Sequence, residues 1–244
     1  MAKPRVALFI TCLADQFFPQ VGECVVKILR RLDVDVTFNP AQTCCGQPAF
    51  NTGYRDEARS VARKFLDVFD NSDYVVAPSG SCTCMVRVFY PELFQGDPVL
   101  LSRVQDLQKR IFEFSEFLVK VLKIEDLGAR FPHRVTYHDS CHLLRELGIS
   151  EAPRKLLRKV RDIDLVEMQD NKLCCGFGGT FSVKFPEVSV PMGQDKIRAA
   201  TEAGAEYLVA ADGSCLMHLA GLIHRQALPL KTMHLAEVLA QQER

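Results

Sequence analysis

A chain that contains the same unit twice has few folds open to it, and this chain is of that kind. Val6-Ala-Leu-Phe-Ile-Thr-Cys12 lines up with Val135-Thr-Tyr-His-Asp-Ser-Cys141. Thr43-Cys-Cys-Gly46 lines up with Leu173-Cys-Cys-Gly176, and the run from Tyr74 to Cys82 with that from Tyr207 to Cys215. The offset grows only from 129 to 133 residues along the unit, so a few residues separate two copies of one design. Self-similarity over this length means one structural unit used twice.

Within the first copy, strand patterns at 5–11, 34–38 and 73–77 alternate with helical patterns at 21–32, 56–69 and 85–90. Ala58, Val61, Ala62, Phe65, Leu66 and Phe69 form a single apolar helix face. The second copy repeats this, with strands at 134–137, 164–168 and 207–211 and helices near 154–160 and 187–203. Residues 99–123 read as a helical connection and 128–132 as a turn. Alternating β and α elements imply right-handed crossovers and a parallel sheet in each copy. The expected fold is α/β, with two duplicated Rossmann-like lobes at 1–127 and 128–244. Their parallel sheets are expected to be related by pseudo-twofold symmetry.

Composition narrows the function classes. Thirty Lys and Arg balance thirty Asp and Glu across 244 residues, leaving no basic footprint for nucleic acid or an acidic membrane surface. No apolar run approaches the ~18 residues of a membrane span. The apolar run after Arg5 is ended by Asp15 without a small-residue cleavage site, so it reads as a buried strand rather than a leader. The expected location is the cytoplasm.

The ten cysteines carry the chemistry. Two adjacent Cys-Cys pairs suit a disulfide framework poorly, and a chain of this length does not need one to build a core. In an open parallel sheet the carboxyl ends of the strands share one edge, where ligands bind. Cys12, Cys44, Cys45 and Cys82 are therefore expected to converge on one site, and Cys141, Cys174, Cys175 and Cys215 on another. Four thiolates have two sensible meanings, a tetrahedral zinc or an iron–sulfur cluster. Zinc sites usually pair ligands two to four residues apart. Here the gaps are 31 and 36 residues in the first copy and 32 and 39 in the second, around an adjacent pair, which favours a cluster.

This spacing, with Gly80-Ser-Cys82 and Tyr137-His-Asp-Ser-Cys-His142, resembles the duplicated cysteine-rich (CCG) domain family over residues 6–224. That family includes a component of heterodisulfide reductase, the iron–sulfur component of glycolate oxidase and lactate-utilisation proteins. A stand-alone chain without an appended ferredoxin domain is most similar to the lactate-utilisation branch. The resemblance implies an oxidoreductase subunit carrying two [4Fe–4S] clusters, active with partner proteins in oxidising L-lactate to pyruvate. It implies other iron–sulfur subunits as partners and a small 2-hydroxy acid as substrate.

One departure matters. The fullest family motif ends in C-x-x-C, whereas the fifth positions here are Met85 and His218. Cys84 falls one residue early, and Met217 stands in its place in the second copy. Four matching cysteines per lobe suffice for an ordinary [4Fe–4S] cluster, and heterodisulfide cleavage at a non-cubane cluster loses support. His218 and Cys84 stay open as additional ligands. A thiol–disulfide reductase and a zinc-stabilised interaction module remain as alternative readings.

Other residues have plainer expectations. Cys24 lies on an apolar helix face as a small core hydrophobe. His138, Asp139 and His142 flank Cys141, where they could hydrogen-bond cluster sulfur, relay a proton or satisfy loop backbone. Gly176-Phe-Gly-Gly179 is not a dinucleotide fingerprint and instead lets backbone approach a cluster. There is no H-E-x-x-H, Walker A or G-x-S-x-G motif. No flavin or nicotinamide signature is present, so that chemistry is expected in a partner.

Overall fold

A computed structural model of the chain describes residues 3–242. The chain divides into two compact units between Phe117 and Leu118. The first unit holds β1 (Arg5–Leu8), β2 (Asp35–Thr37), β3 (Tyr74–Ala77) and β4 (Ile111–Glu113), in the order β2-β1-β3-β4. The second holds β5 (Arg134–Tyr137), β6 (Asp164–Leu165), β7 (Tyr207–Ala210) and β8 (Lys231–His234), in the order β6-β5-β7-β8. Every pairing in both sheets is parallel. The architecture is the same α/β design used twice.

Central strands of a parallel sheet are covered on both faces and so are apolar throughout. Val6 and Leu8 in β1, and Val75 to Ala77 in β3, are buried without alternation. Helix Pro19–Arg31 buries Val21, Val25, Ile28 and Leu29, spaced along one face, and proline at its start fits a position with no intrahelical N–H bond to lose. Helix Arg55–Phe69 buries Ala58, Ala62, Phe65, Leu66 and Phe69, and Phe65 meets Phe9 edge-on with ring centroids 4.7 Å apart. A fully buried Phe contributes roughly 2–3 kcal/mol.

Several element ends differ from the sequence expectation, for local reasons. The first strand stops at Leu8 rather than residue 11, because Thr11 caps a helix that opens at Cys12, its hydroxyl accepting from Ala14 N. The turn at 78–81 is already helical from Gly80, where Ser79 Oγ accepts from Cys82 N. That run continues through a π-helical turn, Met85–Phe89, to Leu93. The segment 99–123 is not one helix. It stops at Gln108, adds β4, and resumes as helix Phe114–Glu116 and a further π turn. The fourth strand of each sheet escapes pattern reading because it spans three or four residues and ends on a buried polar residue, Glu113 or His234. Cys24 is half-buried rather than in the core.

Candidate metal centre

Parallel strands aim their carboxyl ends at one edge, and the cysteines of each unit follow those ends. In the first unit Cys12 opens a helix after β1, Cys44 and Cys45 lie in the loop after β2, and Cys82 sits in the first helical turn after β3. Sγ of Cys12 lies 3.7 Å from Sγ of Cys44. Thiol hydrogen bonds continue from Cys44 to Cys45 and from Cys45 to Cys82. The thiols of Cys12 and Cys45 and the backbone N–H groups of Gly46 and Cys45 draw the Cys44 pKa down to about 3. Cys12 and Cys45, as donors to Cys44, are pushed up.

The second unit repeats the chain of sulfurs, Cys141 to Cys174 to Cys175 to Cys215. Cys174 is held down to about 2 by the Cys141 and Cys175 thiols and by Gly176 N–H. The Gly46 and Gly176 N–H groups each lie 3.4 Å from the sulfur they serve. Both glycines have positive φ, 85° and 90°. A side chain on Gly176 would also put its Cβ 2.4 Å from Ser189 O. Glycine after the pair is thus what lets the backbone turn its N–H toward sulfur.

What backs the two sets differs. A Cβ on Gly46 would meet Ala58 O and Val61, and one on Gly176 would meet Ser189 O and Met192, so the helices correspond at an offset of 131 residues. Phe65 therefore corresponds to Lys196, and by the strand alignment Phe9 corresponds to His138 and Ile10 to Asp139. His138 is fully buried, with its imidazole against the Cys215 thiol. A ring nitrogen of His138 and Sγ of Cys175 and Cys215 lie within 4.8 Å of one another. The Cys175 thiol, and after it the His138 imidazole, bring the Cys215 pKa down to about 6.

Behind this segment, Arg154 grips Asp139 with two bonds of 2.8 and 2.7 Å and Glu167 with two of 2.7 and 3.0 Å. Both Asp139 and Arg154 are buried. Lys196, 2% exposed, donates from Nζ to Asp170 O at 2.6 Å. Burial pushes its pKa down, opposed by the charges of Cys175, Asp139, Asp170 and Cys174. It shares with Cys174, Arg145 and Met192 the lining of a cavity of about 440 Å³.

The structure brings all eight predicted cysteines into two sulfur sets. Of the two additional candidates, His218 lies where the charge of Cys174 acts on it. His218 Nε2 lies 3.4 Å from Ser189 Oγ, and its pKa is lowered by burial. Cys84, fully buried, follows Cys82 by two residues, a spacing that turns it off the helix face that carries Cys82. His142 Nδ1 lies 3.8 Å from Cys141 Sγ. Arg154, Glu167 and Lys196 do not stand out in the sequence as site residues. For Lys196 a signal exists: it falls among Ser189, Gly193, Ile197 and Ala200, a charge at a core-facing helical position.

The donor set fits a thiolate-bound metal or iron–sulfur group. Four thiols within hydrogen-bonding reach of one another cannot all ionise unaided, and a cation at their centre reverses that. Backbone N–H groups aimed at sulfur are the bonds that support such a group.

A repeated parallel α/β lobe with this sulfur set defines a class. Residues 6–87 and 135–220 each match the cysteine-rich domain, CCG, and the chain belongs to that family. Within it, the chain is 50% identical over 238 residues to lactate utilization protein A of Exiguobacterium sp., covering 97% of each chain. It is 47% identical over 235 residues to lactate utilization protein A of Geobacillus sp., covering 96% of this chain and 98% of the relative. Among solved structures, a hypothetical protein from Helicobacter pylori shares the fold, with a TM-score of 0.68 at 12% identity over 100% of this chain. This chain spans 50% of that one.

Proposed function

We propose that the chain is an iron–sulfur redox subunit of a cytoplasmic complex that oxidises L-lactate to pyruvate. Cys12, Cys44, Cys45 and Cys82 hold one [4Fe–4S] cluster, and Cys141, Cys174, Cys175 and Cys215 hold a second. The observation that carries this is the equality of the two sulfur sets, each with the same chain of thiols and the same 3.4 Å N–H contact from the following glycine. Relatives at 50% and 47% identity bearing the name lactate utilization protein A supply the substrate.

Bound clusters of this type supply one-electron transfer. Oxidation of a 2-hydroxy acid to a 2-oxo acid releases two electrons and two protons, so a pair of one-electron centres matches the electron count. The chain's own residues hold sulfur as thiolate and keep His138 buried against Cys175 and Cys215. No flavin or nicotinamide signature stands in the sequence, so abstraction of hydrogen from the substrate is assigned to a partner protein.

Anaerobically purified protein is expected to hold close to two clusters by iron and sulfide analysis. The double variant Cys44→Ser with Cys45→Ser is expected to lose one and keep the other. Two zinc ions and no sulfide would end this reading. Lactate-dependent dye reduction is expected only when partner iron–sulfur proteins are co-expressed.

A further inference from the structure

We infer that one buried charge makes the two metal centres inequivalent: Lys196 sets the second cluster at the higher reduction potential, so an electron entering the chain settles there. The first centre, with Phe65 at the matching position, is then the one of lower potential. This rests on the two-cluster reading above.

The duplication supplies its own control. The glycine contact to sulfur is equal in the two lobes, 3.4 Å from Gly46 N to Cys44 Sγ and 3.4 Å from Gly176 N to Cys174 Sγ, while the other backbone donors differ, Leu13 and Cys45 in the first lobe and Phe177 in the second. The larger contrast between the lobes lies in the side chains behind the sulfur. In the first lobe Phe65 packs on Phe9 and on Phe69, at ring-centroid distances of 4.7 and 4.5 Å, and on Tyr90 at 5.7 Å. That wall carries no charge. Reduction adds a negative charge to a group already made anionic by four thiolates, and an apolar wall does nothing to offset it.

In the second lobe three charged residues replace neutral ones close to sulfur. Asp139 stands where the first lobe has Ile10, but its carboxylate is held by two bonds from Arg154, which also binds Glu167. Asp212 stands where the first lobe has Ser79. Its carboxylate accepts from Ser214 N at 3.2 Å and from Ser214 Oγ, at the N-terminus of helix Gly213–Arg225, whose dipole favours an anion. Each acid therefore has a local counter-group.

Lys196 does not. Among the described residues it has no carboxylate within ion-pair reach, and its ammonium bonds the carbonyl of Asp170. A lysine with only 2% of its surface exposed is costly to hold charged, and negative charge nearby offsets that cost. Cys174, Asp170 and Asp195 line the same cavity, and the charges of Cys175, Asp139, Asp170 and Cys174 act on Lys196. The cysteine-held group shares with Asp139 and Asp170 the negative charge that acts on Lys196, and it is the part of that charge that grows on reduction. A cation so placed favours reduction.

The test is a potentiometric titration, followed by EPR, of the anaerobic full-length chain. Centres are assigned by the variants lacking Cys44 and Cys45 or Cys174 and Cys175. The protein keeping only the second centre is expected to titrate at the higher potential. Lys196→Met is expected to lower that potential by at least a tenfold change in the reduction equilibrium, about 59 mV for one electron. The first centre should not move, and Lys196→Arg should stay near the parent value. A first centre at equal or higher potential would overturn the inference, even if Lys196→Met fails to fold. So would a Lys196→Met protein whose second centre does not shift. Protein that takes up no iron and sulfide at all would overturn the two-cluster reading itself, and this inference with it.

Discussion

The two lobes share a sheet order, a sulfur chain and a glycine after the cysteine pair, yet they are stabilised by different means. The first is packed as an aromatic core, in which Phe9, Phe50, Phe65, Phe69, Tyr90 and Phe94 are all buried together with Cys45 and Cys82. The core cluster around Cys175 and Cys215 is aliphatic, with Ile197, Leu208, Leu216, Leu219 and Leu222. Beside it runs the polar line Asp139–Arg154–Glu167. Backbone placement of sulfur is thus set by strand ends and one glycine, while the neighbouring side chains were free to diverge after duplication. Apolar packing tolerates loss of a contact in proportion to the area lost. A buried ion pair does not, because removing one partner strands the other.

That contrast is broken most directly at Arg154. Arg154→Met leaves Asp139 buried with no cation, and a cost of about 3–5 kcal/mol is expected from an uncompensated buried charge. Denaturant unfolding monitored in the second lobe reads it. A loss below about 1 kcal/mol would mean that the ion-pair line is decoration and the aliphatic core alone holds this lobe.

The glycines sharpen the comparison next. Both adopt positive φ, so alanine at either costs about 1–2 kcal/mol in backbone strain. Only at Gly176 does the new Cβ also strike backbone, Ser189 O at 2.4 Å, against 3.4 Å for Ala58 O at Gly46. Gly176→Ala is expected to cost about 2–4 kcal/mol and Gly46→Ala about half that. Equal losses would show that the helix behind Gly176 yields freely.

A third difference lies at the fourth strands. Glu113 ends β4 and caps the next helix by accepting from Ser115 N and Glu116 N, whereas His234 ends β8 and caps by accepting from Ala236 N. Burial raises the Glu113 pKa to about 7 despite these donors, and its Oε1 has no partner. A carboxyl whose pKa is raised on folding stabilises fully below its unfolded value near 4.5, and that stability is lost as pH rises through about 7. Glu113→Gln is therefore expected to match the parent or fall below it at pH 5 and to exceed it by about 1–3 kcal/mol at pH 8. Parallel stability curves for the two proteins across this range would refute a buried, neutral Glu113.

Much of this is legible in the sequence, and the limits are physical. The repeat exposes itself because sulfur ligands and the glycine after them are fixed by backbone geometry, so Cys44-Cys-Gly46 and Cys174-Cys-Gly176 remain in register after the rest has drifted. β5 is readable to the residue because Arg134 to Tyr137 is bounded by turn chemistry on one side and a ligand loop on the other. β4 and β8 are not, since three or four residues carry no period that distinguishes strand from helix. The partners of buried charges are equally out of reach. Asp139 is visible beside Cys141, but only folding brings Arg154 and Glu167 to it from 15 and 28 residues away. His218 attracts notice through a family position, and the structure sets it 3.4 Å from Ser189 Oγ with the charge of Cys174 acting on it.

The smallest expected effect tests whether the sulfur sets are complete. Cys24, like Cys84, stands outside the two sets of four, and it lies on helix Pro19–Arg31, one position before Val25 on the buried face. Being half-buried, it has less apolar surface to lose than a core residue, and alanine removes one sulfur atom without disturbing helix propensity. Cys24→Ala is expected to cost less than about 1 kcal/mol and to leave iron and sulfide content unchanged. The reason is positional, since Cys12, Cys44, Cys45 and Cys82 already form a run of thiol contacts at the strand ends, whereas Cys24 lies on helix Pro19–Arg31. Thermal unfolding and metal analysis on the same preparation read both outcomes. Loss of one cluster in Cys24→Ala would show that the first lobe draws a ligand from its helix, and the equality of the two sulfur sets would then fail.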